Sequence, residues 1–304
     1  MPHAMLVLLD LQHRLEYLLL RVVVGLVRAM PLEMAATVSA CLWRLVAPWQ
    51  RRHRRALENL AIAFPEKTPR ERETIALAMW ENLGRVMAET MQIDRLIKDR
   101  DRIDIVNKAV FDRYKDKLGP AIGVSLHMGN WELAIWPLTV AGANPAAVYR
   151  NVRNPYVDRY LRHQRRDLYP GGLFGRGKVE GNAEEAQRTA RLIMDFVRKG
   201  GRLGLVCDLY DRRGLAVPFF GTPARSVAIP AMIARRVGAR IWMARCMRIG
   251  KASRFKIEIK ELKVPRTQNA SDDVLWVTTE MQKQFEAWVR EAPEQWMWSN
   301  RRWA

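Results

Sequence analysis

From about residue 120 onward, short apolar runs of β character alternate with helical stretches, and this alternation constrains the fold more than any other feature. The runs are AIGVSL at 121–126, AAVY at 146–149, LGLVC at 203–207, IWMARCM at 241–247 and FKIEI at 255–259. Helical stretches over 154–166, 182–199, 225–237 and 272–290 alternate with them. Strands that return to one sheet by way of helices imply an α/β architecture, a sheet flanked by helices. Residues 32–98 read as helical throughout, with breaks near Pro48 and in FPEKTP at 64–69; Thr68 is placed to cap the next helix, with Pro69 at its first position. The predicted organisation is an N-terminal helix over 1–30 followed by one domain over 31–304, divided into a helical annex at 31–118 and an α/β core at 119–304. No internal repeat is present.

Residues 5–30 are strongly apolar, yet charge interrupts them before they reach the roughly 20 clean residues of a simple span. Asp10, Arg14, Tyr17, Arg21, Gly25 and Arg28 recur every three or four positions and so form one stripe of a helix. Three arrangements fit this pattern: a helix lying in a bilayer interface, a tilted span with snorkelling arginines, or a helix buried against the rest of the chain. The basic stripe and the RRHRR run at 51–55 favour membrane contact. A cleaved signal peptide is not expected, because no basic region precedes the apolar run and no small-residue cleavage site follows it.

Lys and Arg number 51 against 32 Asp and Glu, a net charge of +19. Such an excess calls for an anionic partner (nucleic acid, membrane surface or acidic protein) without choosing among them. Between Arg212 and Ile257 there are eleven basic residues and no acidic one. Cys41, Cys207 and Cys246 are odd in number and widely spaced, which rules out a disulfide framework and a CxxC site and points to a reducing, cytoplasm-facing location.

Chemistry concentrates in GVSLHMGNWELA at 123–134. A strand ends at Leu126, His127 follows, Gly129 permits a sharp turn, and Asn130 is suited to cap a helix with Glu132 in its first turn. On a continuous helix His127 and Glu132 would diverge by about 140°. A strand–turn–helix junction lets the carboxylate fold back to the imidazole, hold one ring nitrogen as N–H and leave the other free to accept a proton. Pro137 shortens or kinks the helix that follows. HExxH is absent and His3, His13, His53 and His163 lack ligand spacing, so no metal site is expected; GxSxG is absent as well.

HMGNWE resembles the HxxxxD/E motif of the glycerolipid and lysophospholipid acyltransferase superfamily, and more closely the HFGNWE form of the late lipid A acyltransferases, the lauroyl and myristoyl transferases of Gram-negative bacteria. RRHRRALENLAIAFPEKTPRER, YRNVRNPYVDRYLRHQRR, DLYDRRGLAVPFFGTPARS and APEQWMWSNRRW resemble further blocks of that family, in family order. Met128 stands where the family usually has Phe, and CDLYD where P-D-x-D is common, which leaves Asp211 without an assigned role.

The resemblance implies a glycerolipid acyltransferase-like α/β fold, a mixed sheet flanked by helices, with a membrane-associated N-terminal helical region. It implies transfer of a fatty acyl chain from acyl carrier protein to a hydroxyl of a lipid A precursor. His127 would be the general base and Glu132 its orienter, Arg165 and Arg150 would bind acceptor phosphates, and Asn130 would contribute to substrate binding. Asp208 would pair with one of these arginines or help place the acceptor. Asn154 is expected only to initiate a turn before Pro155, FFG at 219–221 to line an acyl channel or fill the core, and Trp296, Trp298 and Trp303 to close the site or to pack. No cofactor is implied beyond the acyl carrier protein co-substrate. The implied partners are that acidic protein, an anionic lipid acceptor and the cytoplasmic face of the cell inner membrane. Acylation of another membrane acceptor, a lysophospholipid or a phosphoinositide mannoside, is the alternative. Nucleic acid is not an expected partner, because no zinc finger or RNP-like block is present.

Overall fold

The computed structural model describes residues 3–107, 109, 118–176 and 183–303. Five helices open the chain: α1 His3–Ala29, α2 Leu32–Val46, α3 Arg51–Ala63, α4 Pro69–Met91 and α5 Ile93–Lys98. Local sequence sets their ends. Pro48 lies in a 3-10 turn between α2 and α3, and α4 begins in a capping box in which Thr68 Oγ1 accepts from the Glu71 amide while the Glu71 carboxylate accepts from the Thr68 amide.

A seven-stranded sheet follows, built from β1 Ile103–Val106, β2 Ala121–Ser125, β3 Ala146–Arg150, β4 Gly172–Arg176, β5 Arg202–Val206, β8 Arg240–Arg248 and β9 Phe255–Leu262. Its order is β1-β9-β8-β2-β5-β3-β4, and every neighbouring pair is parallel except β8 with β9. The sheet is therefore mixed, as the resemblance implies. Its strand β1 lies within the stretch read as helical annex, so the division near residue 118 is crossed by strand pairing to β9. A separate antiparallel hairpin, β6 Tyr210–Phe219 with β7 Thr222–Ser226, occupies a region where no strand is predicted from the sequence; its Gly, Pro and Arg content hides the alternation.

The connecting helices are α6 Trp136–Val140, α7 Pro155–Arg165, α8 Ala183–Arg198 and α9 Ile229–Val237, with α10 Ala270–Glu291 after the sheet. The predicted strain at Pro137 takes a definite form: Trp131–Ile135 is a 3-10 turn, and Pro137 stands in the first turn of the five-residue α6. Side chains alternate across β2, so Ile122 and Val124 join a core shared with α4, α9, α10 and the C-terminal tryptophans, while the opposite face packs against Leu133, Ile135 and Leu138.

Two expectations for this core resolve toward packing. Phe219 and Phe220 are buried against Trp296, Trp298 and Phe64. Trp303 packs on Phe219.

The N-terminal helix is amphipathic in an inverted sense. Part of its polar stripe meets protein, with Asp10, Tyr17 and Arg28 half-buried beside His13 while Arg14 and Arg21 stay exposed, whereas Leu8, Leu15, Leu18, Leu19 and Leu26 on the remaining surface are 59–66% exposed. Met34, Val38, Leu42 and Leu45 of α2 are also exposed, and Trp49 beyond them is 79% exposed. Among the described residues no helix is long and apolar enough to cross a membrane.

Candidate active site

Strands β2 and β5 lie side by side and in register, Ser125 opposite Val206, and both end at the carboxyl edge of the sheet. The backbone pairing runs one step further through the Cys207 amide to the Ser125 carbonyl at 2.9 Å. Two residues past each strand, His127 and Asp208 therefore emerge together. Asp208 Oδ1 lies 2.8 Å from His127 Nδ1, and Asp208 Oδ2 accepts from the His127 amide at 2.8 Å and from Trp296 Nε1 at 2.7 Å. With Nδ1–H donating to the carboxylate, Nε2 is left as the accepting nitrogen. The His127 side chain is 18% exposed and that of Asp208 1%.

Burial alone would disfavour the charge on each partner. The mutual attraction outweighs it: the Asp208 carboxylate, with a smaller contribution from Glu132, raises the His127 pKa above the ordinary imidazole value, and Asp208 itself is held below the usual carboxylate range by the imidazole and by its hydrogen bonds to His127 and Trp296.

Glu132 does not hold His127. The 3-10 turn that carries it aims the carboxylate at the end of α7, where Arg165 clasps it through Nε–Oε2 at 2.9 Å and Nη2–Oε1 at 2.6 Å. The expected His127–Glu132 contact is thus replaced by two pairs side by side, His127–Asp208 and Glu132–Arg165. Likewise Asp208 pairs with neither Arg165 nor Arg150, because the imidazole and the Trp296 indole occupy its oxygens. Burial opposes the Arg165 charge and Glu132 more than offsets this, while burial and the same carboxylate push the Tyr169 phenol up.

Asn130 stands at the N-cap position but makes no side-chain cap bond. It is fully buried, and its amide donates to Glu89 Oε2 at 2.9 Å, so it faces the protein interior and not a substrate. Arg150 ends β3 at an exposed position and makes no ion pair among the described residues. Of the six residues singled out in the sequence, four converge (His127, Asp208, Glu132 and Arg165), one is internal and one lies on the surface.

The turn between His127 and Asn130 is held from behind. Gly129 adopts φ +57°, and a Cβ there would sit 1.8 Å from the Cys246 carbonyl oxygen, so only glycine fits. Its amide donates to the Gln295 carbonyl at 3.0 Å, its carbonyl accepts from Asn82 Nδ2 at 3.1 Å, and the Met297 amide donates to the His127 carbonyl at 3.0 Å. Arg248 links these supports, donating to Asn82 at 2.9 Å and bidentately to the fully buried Glu89 at 2.5 and 2.9 Å. Trp296, one of the tryptophans expected to close the site or to pack, reaches it through Asp208, whereas Gln295, Glu89 and Arg248 were not legible as site residues. Glu89 and Arg248 are 159 positions apart, and nothing local marks either.

Beside the two pairs a small cleft, lined mostly by apolar side chains, opens to solvent over the sheet face. Gly123 and Gly204, opposite one another in register, form its floor; Trp131, Ile135, Leu138 and Tyr169 wall it. The Trp131 ring is 5.3 Å from the His127 ring, which joins cleft to imidazole. The site thus unites an oriented imidazole, a carboxylate–guanidinium pair and an apolar slot. Among the described residues no group of three or more His, Cys, Asp or Glu side chains is arranged to hold a metal ion.

The profile of the family described as bacterial lipid A biosynthesis acyltransferase matches residues 7–304, nearly the whole chain. The chain belongs to that family. Among curated proteins, none matches it. As a lipid A biosynthesis acyltransferase it catalyses acyl transfer in the making of lipid A. The five blocks quoted from its sequence now have places in this acyltransferase: the histidine turn, the β5 aspartate, the helix ending in Arg165 and the C-terminal tryptophan segment meet at one site, and the basic block lies on α3.

Proposed function

We propose that the protein transfers a fatty acyl chain from the thioester of an acidic acyl carrier protein to a hydroxyl of a lipid A precursor, with His127 as general base and Asp208 as its orienter. The observation that carries this reading is the His127–Asp208 pair at the carboxyl ends of adjacent parallel strands, with an apolar cleft adjoining it across Trp131. The thioester is already activated, so no protein nucleophile is required. His127 Nε2 takes the hydroxyl proton as the acceptor oxygen attacks the thioester carbonyl. The tetrahedral intermediate then expels the thiolate, which receives the proton from the imidazolium.

Arg165, fixed by Glu132 through two of its nitrogens, keeps Nη1 for an anionic oxygen of the acceptor. The cleft floored by Gly123 and Gly204 suits the acyl chain. Arg212, Arg213 and Arg301 are exposed beside Tyr210, two residues past Asp208, and offer a basic approach for an acidic carrier. The exposed apolar faces of α1 and α2, with Trp49 and the exposed Arg51, Arg52, Arg54 and Arg55 after them, support association with the cytoplasmic face of the inner membrane.

The test is transfer by the purified protein from acyl carrier protein thioester to a lipid A precursor and, in parallel, to a lysophospholipid. Transfer to the lipid A precursor that is lost in His127→Ala is the expected result. Transfer to the lysophospholipid alone would overturn the acceptor assignment, and full activity in His127→Ala would overturn the base.

A further inference from the structure

The inverted stripe of α1 has a definite counterpart. Asp10 accepts from the Tyr156 hydroxyl at 2.8 Å. The His13 carbonyl and the Glu16 carboxylate accept from Asn154 Nδ2 at 2.7 and 3.0 Å. The Tyr17 ring lies 6.1 and 6.4 Å from those of Tyr156 and Tyr160, and the Arg21 guanidinium 5.3 Å from the Tyr160 ring. All of these partners belong to α7 or its cap. Asn154, expected only to start a turn, is 4% exposed and works on two sides: its Oδ1 caps α7 by accepting from the Tyr156 and Val157 amides, while its amide group reaches α1.

The same helix carries Arg165 at its far end. Eleven residues at about 1.5 Å each make a rod of roughly 16 Å, and a hydrogen-bonded helix of that length transmits a displacement of its cap to its last turn. Arg165 grips Glu132 by two hydrogen bonds whose geometry tolerates little shift. We propose that α1 is a positioning element of the active site: by seating Asn154, Tyr156 and Tyr160 it sets α7 so that Arg165 holds Glu132 beside the His127–Asp208 pair. The contribution to catalysis rests on the acyl-transfer reading above; the seating itself does not.

The test separates positioning from anchoring. In full-length protein, Asp10→Ala with Tyr17→Ala removes contacts to α7 while leaving the outward leucines of α1 in place. Expected are a kcat lower by roughly 10- to 100-fold, the cost of a misplacement on the order of 1 Å, with unchanged co-sedimentation with vesicles of phosphatidylethanolamine and phosphatidylglycerol. The groups facing His127 are Asp208, Glu132 and the Trp131 ring, with Arg165 beyond Glu132. A loosened Arg165 leaves the field of Glu132 on the imidazole less compensated, so the acid limb of the pH–rate profile moves to higher pH, which a general loss of folded protein does not produce. Asp10→Asn with Tyr17→Phe keeps an acceptor and a ring, and restores most of the rate.

Hydrogen exchange supplies a readout independent of activity: amides over 158–168 and 128–133 exchange faster in the alanine double variant, and those over 229–237 do not. Should that double variant fail to fold, Tyr156→Phe tests the same bond to Asp10. A native kcat and native exchange over 158–168 overturn the proposal, as does a rate that falls only in step with vesicle binding. If the unaltered protein transfers no acyl chain to any acceptor, the proposed function fails, and the exchange comparison still decides whether α1 seats α7.

Discussion

Asp208 holds His127 at two points, with Oδ1 2.8 Å from the ring Nδ1 and Oδ2 2.8 Å from the backbone amide. One carboxylate thus fixes both the tautomer of the imidazole and the start of the turn that carries it. Because the pair raises the His127 pKa, the free Nε2 lone pair is lost as pH falls through that raised value, and activity fades at a higher pH than an isolated imidazole would allow. Asp208→Asn removes the carboxylate charge, so the acid limb of kcat/KM moves to lower pH while the plateau drops by roughly 10² to 10⁴, about 3 to 5 kcal/mol of transition-state stabilisation. A pH–rate profile measures both. An unmoved acid limb would refute the pairing.

The buried Glu89–Arg248 pair supports the turn from behind, and its disruption is expected to act first on stability. Glu89→Ala leaves a buried guanidinium and the Asn130 amide without their partner, at a cost of about 3 to 5 kcal/mol. At about 2 to 4 °C per kcal/mol the thermal midpoint falls by roughly 10 °C. Glu89→Leu with Arg248→Met removes both charges and recovers much of that loss. Calorimetry of the single and double variants checks the sign of the coupling.

A methyl group on the cleft floor should alter chain-length preference. A Cβ at Gly123 would meet Leu138 Cδ1 at 3.5 Å and Ile135 Cδ1 at 3.7 Å, ordinary contacts, so Gly123→Ala fits against the side chains that wall the cleft. Relative kcat/KM then shifts toward shorter donors, by roughly fourfold per methylene at about 0.8 kcal/mol each. Competition between donors of different length measures this, and an unchanged ratio argues that the chain lies elsewhere.

Vesicle binding is expected to depend on charge at the start of α3. Arg51, Arg52, Arg54 and Arg55 are exposed beyond Trp49, and each contributes about 1 kcal/mol toward an anionic surface at low salt. Replacing all four with glutamine weakens binding to anionic vesicles strongly in low salt and much less in high salt. Equal loss at both salt concentrations would assign the binding to apolar contact alone.

Much of the fold is legible in the chain because its signals are local. The capping box at Thr68, the break at Pro48 and the apolar runs that become β2, β3, β5, β8 and β9 each depend on residues a few positions apart. The strands β1, β4, β6 and β7 escape notice because short or arginine- and glycine-rich strands carry little periodicity. The same distinction divides the site. The local pattern marks His127, Gly129 and Glu132 as a chemical turn.

Which carboxylate serves the imidazole was decided elsewhere, by the register of β2 against β5, which brings Asp208 to His127 from 81 positions away. The partner of Glu132 depends in the same way on where α7 comes to rest. For α1, the sequence wrote a polar stripe on an apolar helix, but only the packed structure shows which face the protein keeps. The hydrogen bonds of Asn154 and Tyr156 hold the Asp10, His13 and Glu16 side of the helix against α7 and leave the leucines outside. Short-range patterns determine an element and its surface chemistry; the choice of partner belongs to contacts that form only once distant segments have met.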